Sequence, residues 1–120
     1  MTLKINVLGT EYTVKWFNYS DLPVFEKRSI GGYSDDVAHE IAICNMKTHP
    51  GFEDESEEWC KTLEKRILRH EIVHAFLSES GLQDSAVQFE GAWSKNEELV
   101  DWIALQAPKM IKVFEETGCL

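Results

Sequence analysis

No stretch of this chain approaches the roughly 20 consecutive apolar residues needed to span a bilayer. The opening residues, "MTLKINVLGTEYTVKWF", alternate in polarity and lack the apolar run of a signal peptide. The expectation is a soluble, cytoplasmic protein with no membrane contact. Cysteine is sparse: Cys44, Cys60 and Cys119 are odd in number, far apart, and form no Cys-x-x-Cys pair. That argues against a disulfide framework and against cysteine-ligated zinc. Three reduced thiols are expected, two of them packed and one near the C-terminus. Positive charge is also scarce. Twelve Lys and Arg stand against 21 Asp and Glu, a net charge of -9, and no basic block exists to neutralise phosphates. Nucleic acid is therefore excluded as a partner. The densest acid, "EDESEE" at 53–58, fits a solvated loop or a helix N-terminus, where the dipole favours carboxylates.

Repeats, low-complexity tracts and linkers are missing too, so residues 1–120 read as a single domain. What is present suffices for a core: 43 % hydrophobic residues, with four Trp and six Phe. Residues 2–17 read as strand, turn, strand, with Leu3, Ile5 and Val7 on one face and a turn at Gly9-Thr10. A second hairpin is expected in "SIGGYSDDVAHEIAICNMK", turning at Ser34-Asp35-Asp36. Its second strand, 37–44, would carry Val37, His39, Ile41 and Ile43 on one face, and is the candidate free edge of the sheet. From Ser56 the period becomes helical. Trp59, Leu63, Ile67, His70, His74 and Leu77 form one stripe, expected to point inward, with Gly81 as C-cap. A second helix is expected from near Ser94, where Ser94 and Glu97 have capping-box spacing, continuing past a kink at Pro108. Strands followed by helices indicate an α+β fold: a small antiparallel or mixed sheet packed on two helices.

The chemistry is concentrated in "RHEIVHAFLSESG", residues 69–81. Positions i and i+4 of a helix stand one above the other, about 5–6 Å apart at Cβ. His70 and His74 can therefore converge on one metal ion. Glu71, rotated by about 100°, can stand beside that ion and reach a water on it. Two ligands are too few for catalytic zinc, which takes three from the protein plus water. The third should come from "SKNEELVDWIA", where Glu97 and Asp101 are four apart and can share a face. One acid can bind the ion while the other accepts the free ring N–H of a ligating histidine. The ordinary alternative is a helix bearing two hydrogen-bonded histidines.

"HEIVH" followed by "NEELVD" resembles the gluzincin metallopeptidases, the thermolysin-like class, whose signature is His-Glu-x-x-His on one helix and Glu-x-x-x-Asp on a second. The short length, with strands before the helices, is similar to minigluzincins. It is also similar to the short phage-associated metallopeptidases of the ImmA/IrrE type, which cleave a repressor. The resemblance implies a zincin-like fold, one Zn2+ ion held by His70, His74 and Glu97, Glu71 as general base, and Asp101 as the partner of a ligand histidine. It implies hydrolysis of peptide bonds in a protein or peptide substrate, which could add as a strand to a sheet edge. The chain departs from the larger members in having no histidine after His74 to stabilise the transition state, which leaves Tyr33, His39 and Tyr19 as candidate donors. His49 reads as a loop residue. Two other readings remain at this point: a non-catalytic, zinc-stabilised protein-binding module of phage or prophage origin, and a metal-free interaction protein.

Overall fold

The structure, a computed structural model, describes residues 1–82 and 97–120, without the side chains of Glu97, Val100 and Ala104. The fold is α+β. Strands β1 (Thr2–Val7) and β2 (Thr10–Phe17) lead to a short helix α1 (Pro23–Arg28), then β3 (Gly32–Asp35) and β4 (Glu40–Cys44). Two longer helices follow, α2 (Glu57–Glu79) and α3 (Glu97–Thr117). The sheet is mixed, in the order β1-β2-β4-β3; β1/β2 and β4/β3 are antiparallel, while β2/β4 is parallel.

The first hairpin forms as expected, with its turn one residue earlier. Val7 pairs with Thr10, leaving Leu8 and Gly9 as a two-residue loop. Both have positive φ, 52° and 96°, the signature of a turn whose twist matches that of the strands. Asn6 Oδ1 accepts the Gly9 N–H at 2.7 Å.

The second hairpin departs from expectation. Its strands end at Asp35 and resume at Glu40, so the turn is 36–39 rather than 34–36. Asp35 Oδ1 accepts the backbone N–H groups of Val37 and Ala38 at 3.0 and 2.9 Å, which draws the chain into the turn. Val37 is 89 % exposed and His39 has φ 56°, so neither belongs to a strand face. Nor is this segment the sheet edge. β4 lies between β2 and β3, and Ile41, Ala42, Ile43 and Cys44 are all buried. Such a continuous apolar run belongs to a strand covered on both faces. The edges are β1 and β3.

One core joins Ile5, Val7, Tyr12, Val14, Ile41 and Ile43 of the sheet to Leu68, Ile72, Ala75 and Phe76 of α2 and Met110 and Val113 of α3. A smaller one gathers Phe25, Cys44, Met46 and Cys60. All three cysteines are free and buried.

α2 starts where the sequence suggests. Ser56 Oγ accepts the Trp59 N–H at 3.0 Å, and Glu57 and Glu58 occupy the first turn. At the other end Ser80 is the cap, and Gly81 follows it with φ 83°. The buried stripe, however, is not the expected one. It runs through Cys60, Glu64, Leu68, Glu71, Ile72, Ala75 and Phe76, while Trp59, His70 and His74 are exposed. The choice of face is settled by what the sheet offers, including polar partners. Glu64 can be buried because it accepts the Met46 backbone N–H at 3.1 Å. α3 is one helix with Pro108 inside it. The expected cap at Ser94 lies outside the described residues. Among the described residues, no helix is long and apolar enough to cross a membrane.

Candidate metal centre

The i, i+4 arithmetic of α2 is realised in space. His70 Nε2 and His74 Nε2 are 3.1 Å apart, with ring centroids 4.7 Å apart and the planes tilted edge to face. Two nitrogens each about 2.0–2.1 Å from one zinc ion, at the tetrahedral angle, would stand about 3.3 Å apart. The pair thus fits a shared metal with almost no adjustment. One ligand atom from each of His70, Glu71 and His74 lies within 4.8 Å of the other two.

The three side chains differ in surroundings. Both imidazoles are exposed at a cavity, whereas Glu71 is 6 % exposed. Burial pushes the Glu71 carboxyl above its usual pKa, against the opposing pull of His70, His74 and Arg28. A carboxylate made more basic by desolvation, beside two imidazoles that could hold a metal ion, is well suited to accept a proton.

The cavity, of about 520 Å³, is walled by α2 on one side and by the α1–β3 segment on the other. Arg28, Tyr33 and Ser34 line it together with His70, Glu71 and His74, as do Asp36 and Ser78. Two glycines bring the walls together. A Cβ on Gly31 would sit 2.9 Å from Ile67 Cδ1, and one on Gly32 would sit 2.7 Å from Ile67 Cγ2 and 2.9 Å from the Ala42 carbonyl oxygen. Only glycine allows β3 to lie this close to the turn of α2 that precedes His70. At the other end Ser78 Oγ donates to Asp36 Oδ2 at 2.7 Å.

No known protein family, curated protein or solved structure matches this chain. The site therefore stands on its own geometry.

Of the three candidate donors for a developing oxyanion, Tyr33 alone lines the cavity. Burial raises its hydroxyl pKa, helped by the charges of Glu40 and Asp35, so it stays protonated and able to donate. Tyr19 instead packs on the His49 ring, 4.7 Å between centroids, beside the smaller core. His39 packs on Tyr12, and its Nε2 is 3.8 Å from Glu79 Oε1. Glu79 also accepts from Thr10 Oγ1 at 2.9 Å and Tyr12 OH at 2.8 Å, tying the end of α2 to β2.

Of the two expected acids, Glu97 opens α3, and its side chain is outside the described residues. Asp101 is exposed and, among the described residues, hydrogen-bonds to neither histidine. Besides the shared core, Trp102 Nε1 of α3 donates to Oγ of Ser80, the cap of α2, at 3.0 Å. Arg28, Ser34, Asp36 and Ser78 were not legible as site residues. They reach the cavity through pairing and packing, and no spacing pattern ties them to the histidines.

Proposed function

We propose that this protein is a zinc-dependent metallopeptidase of gluzincin type, zincin-like in fold, which hydrolyses peptide bonds in a protein or peptide substrate. The observation that carries the reading is the 3.1 Å approach of His70 Nε2 to His74 Nε2, with the buried Glu71 carboxylate beside them on an open cavity. Glu97 is proposed as the third ligand and Asp101 as the residue that orients a ligand histidine, on the strength of the sequence signature. When bound, zinc supplies a Lewis acid that polarises the scissile carbonyl and makes water acidic near neutral pH. Glu71 takes the proton of the attacking water and passes it to the leaving amine. The Tyr33 hydroxyl donates to the carbonyl oxygen as charge develops there. An extended substrate adds along β3, the sheet edge that contributes Gly32, Tyr33 and Ser34 to the cavity, in place of the expected edge at 37–44. We place this activity in the cytoplasm.

Glu71→Gln is the deciding experiment. It keeps shape and hydrogen bonding but removes the proton acceptor. Peptidase activity of the zinc-loaded protein should fall at least about a hundredfold, with zinc content unchanged. Hydrolysis that survives the substitution, or protein that binds no zinc, overturns the reading. Full zinc content with no hydrolysis by the wild type would instead favour the zinc-stabilised binding module.

A further inference from the structure

β3 and α2 run past the cavity in the same direction. Gly32 abuts Ile67 at one end, and Asp36 accepts from Ser78 at the other. His70 and His74 lie between these two contacts, so the metal-binding pair sits mid-way along a trough. The two ends of the trough carry opposite charge. Asp36 occupies the Ser78 end, and Arg28, with Ile30, enters the lining at the Gly32 end.

Arg28 is held there by its backbone. It is the last residue of α1, and Ser29 caps that helix in the left-handed region at φ 51°. The Ser29 N–H donates to the Glu26 carbonyl at 3.3 Å, and the Ile30 N–H to the Phe25 carbonyl at 3.2 Å. The buried Phe25 side chain anchors the turn in the smaller core. Among the described residues, the Arg28 guanidinium has no hydrogen-bond or ion-pair partner. Of the cavity's own acids, Asp36 accepts from Ser78, and Glu71 is buried, feeling the charge of Arg28 without an ion pair to it.

We infer that Arg28 is the recognition point for a carboxylate of the substrate, so that the cavity takes peptides carrying a free carboxylate on the Gly32 side of the metal-binding pair. A planar guanidinium can grip a carboxylate through two parallel N–H···O bonds, fixing orientation as well as adding affinity. A peptide held this way lies with its carboxylate at Arg28 and the rest of the chain toward the Asp36 end. The scissile carbonyl then falls over His70 and His74, with the leaving group on the Arg28 side. This inference rests on the proposed peptidase function and names its substrate class. The carboxylate could be the chain terminus or an acidic side chain.

The test titrates three probes into zinc-loaded Glu71→Gln protein, which binds without cleaving: N-acetyl-Ala-Phe-Ala as the free acid, the same peptide as its amide, and N-acetyl-Ala-Glu-Ala amide. The free acid should bind about tenfold more tightly than its amide. Adding Arg28→Gln should erase that difference, and Arg28→Lys should keep part of it. If the Glu-bearing amide binds like the free acid, side-chain carboxylates are accepted; if it binds like the plain amide, the carboxylate is terminal. Equal binding of acid and amide, or a preference that survives Arg28→Gln, overturns the inference. A second titration uses metal-free wild type and follows the Arg28 side-chain N–H by NMR. The free acid should shift that signal and the amide should leave it in place; no shift with either counts against Arg28. Failure to take up zinc defeats the peptidase reading alone and leaves this second titration to decide on Arg28.

Discussion

Gly32 lies against Ile67 so closely that a Cβ at Gly32 would stand 2.7 Å from Ile67 Cγ2 and 2.9 Å from the Ala42 carbonyl oxygen. The contact sets how near β3 comes to the helical turn below His70, and with it the width of the cavity. Gly32→Ala should destabilise the protein by about 1–3 kcal/mol, because one of the blocking atoms is backbone and cannot rotate away. Gly31→Ala meets only the ends of the Ile67 and Met46 side chains, at 2.9 and 3.2 Å, and should cost less. Urea denaturation of both variants checks the order. Gly32→Ala should also weaken zinc binding by spreading the cavity walls, measured by competition with a chelator.

Zinc should stabilise the native chain. A ligand present at about 100 times its dissociation constant adds about 2.7 kcal/mol when it binds only the folded state. Thermal melting with and without EDTA reads this directly. His74→Ala and Glu97→Ala should each remove the zinc-dependent rise, while Glu71→Gln should keep it. A rise that persists in His74→Ala would place the metal elsewhere.

Tyr12 and Thr10 both donate to Glu79. Tyr12 is fully buried, so Glu79→Ala strands its hydroxyl in the core edge and should cost about 1–3 kcal/mol. Tyr12→Phe removes donor and need together and should cost about 0.5–1.5 kcal/mol. In the double variant the two losses should not add, since one bond is being removed twice. Additive losses would show that the pair is not coupled.

Burial pushes the Cys44 thiol up to about 11 from its ordinary 9.0; the charges of Glu64 and Asp21 help, and Thr48 opposes. The native state thus holds the Cys44 proton in a range where the unfolded chain releases it. The stabilisation is fully present below pH 9 and is lost as the pH rises from about 9 toward 11. Urea midpoints over this range should therefore fall less steeply in Cys44→Ala than in wild type. At pH 8 native Cys44 should also resist thiol reagents, and it should react only once the chain is unfolded. Rapid labelling of Cys44 in the native state would contradict both expectations.

The first hairpin and the start of α2 were legible because their determinants are local. Alternation over Leu3, Ile5 and Val7 and a serine ahead of two glutamates each act within a few residues. The stripe on α2 departs from expectation because the period through Leu63, Ile67 and Leu77 continues into His70 and His74, while the face that is buried lies beside it. The buried face includes Glu64 and Glu71, and a carboxylate such as Glu64 can be buried only where another element brings it a donor. The second hairpin was misread because Val37 and His39 extend the β pattern of Ile41 and Ile43. The Asp35 side chain nevertheless closes the turn across them.

Helical geometry alone determined that His70 and His74 could meet. A spacing of four residues on a 3.6-residue period sets two imidazoles one above the other, within reach of each other. Only the tertiary structure decided what they meet with. The parallel pairing of β2 with β4 sends β3 to the edge, lays Gly32 on Ile67, and carries Tyr33 and Arg28 to the histidines. Pairing between strands far apart in the chain depends on which burial is best overall, and local alternation does not encode that choice.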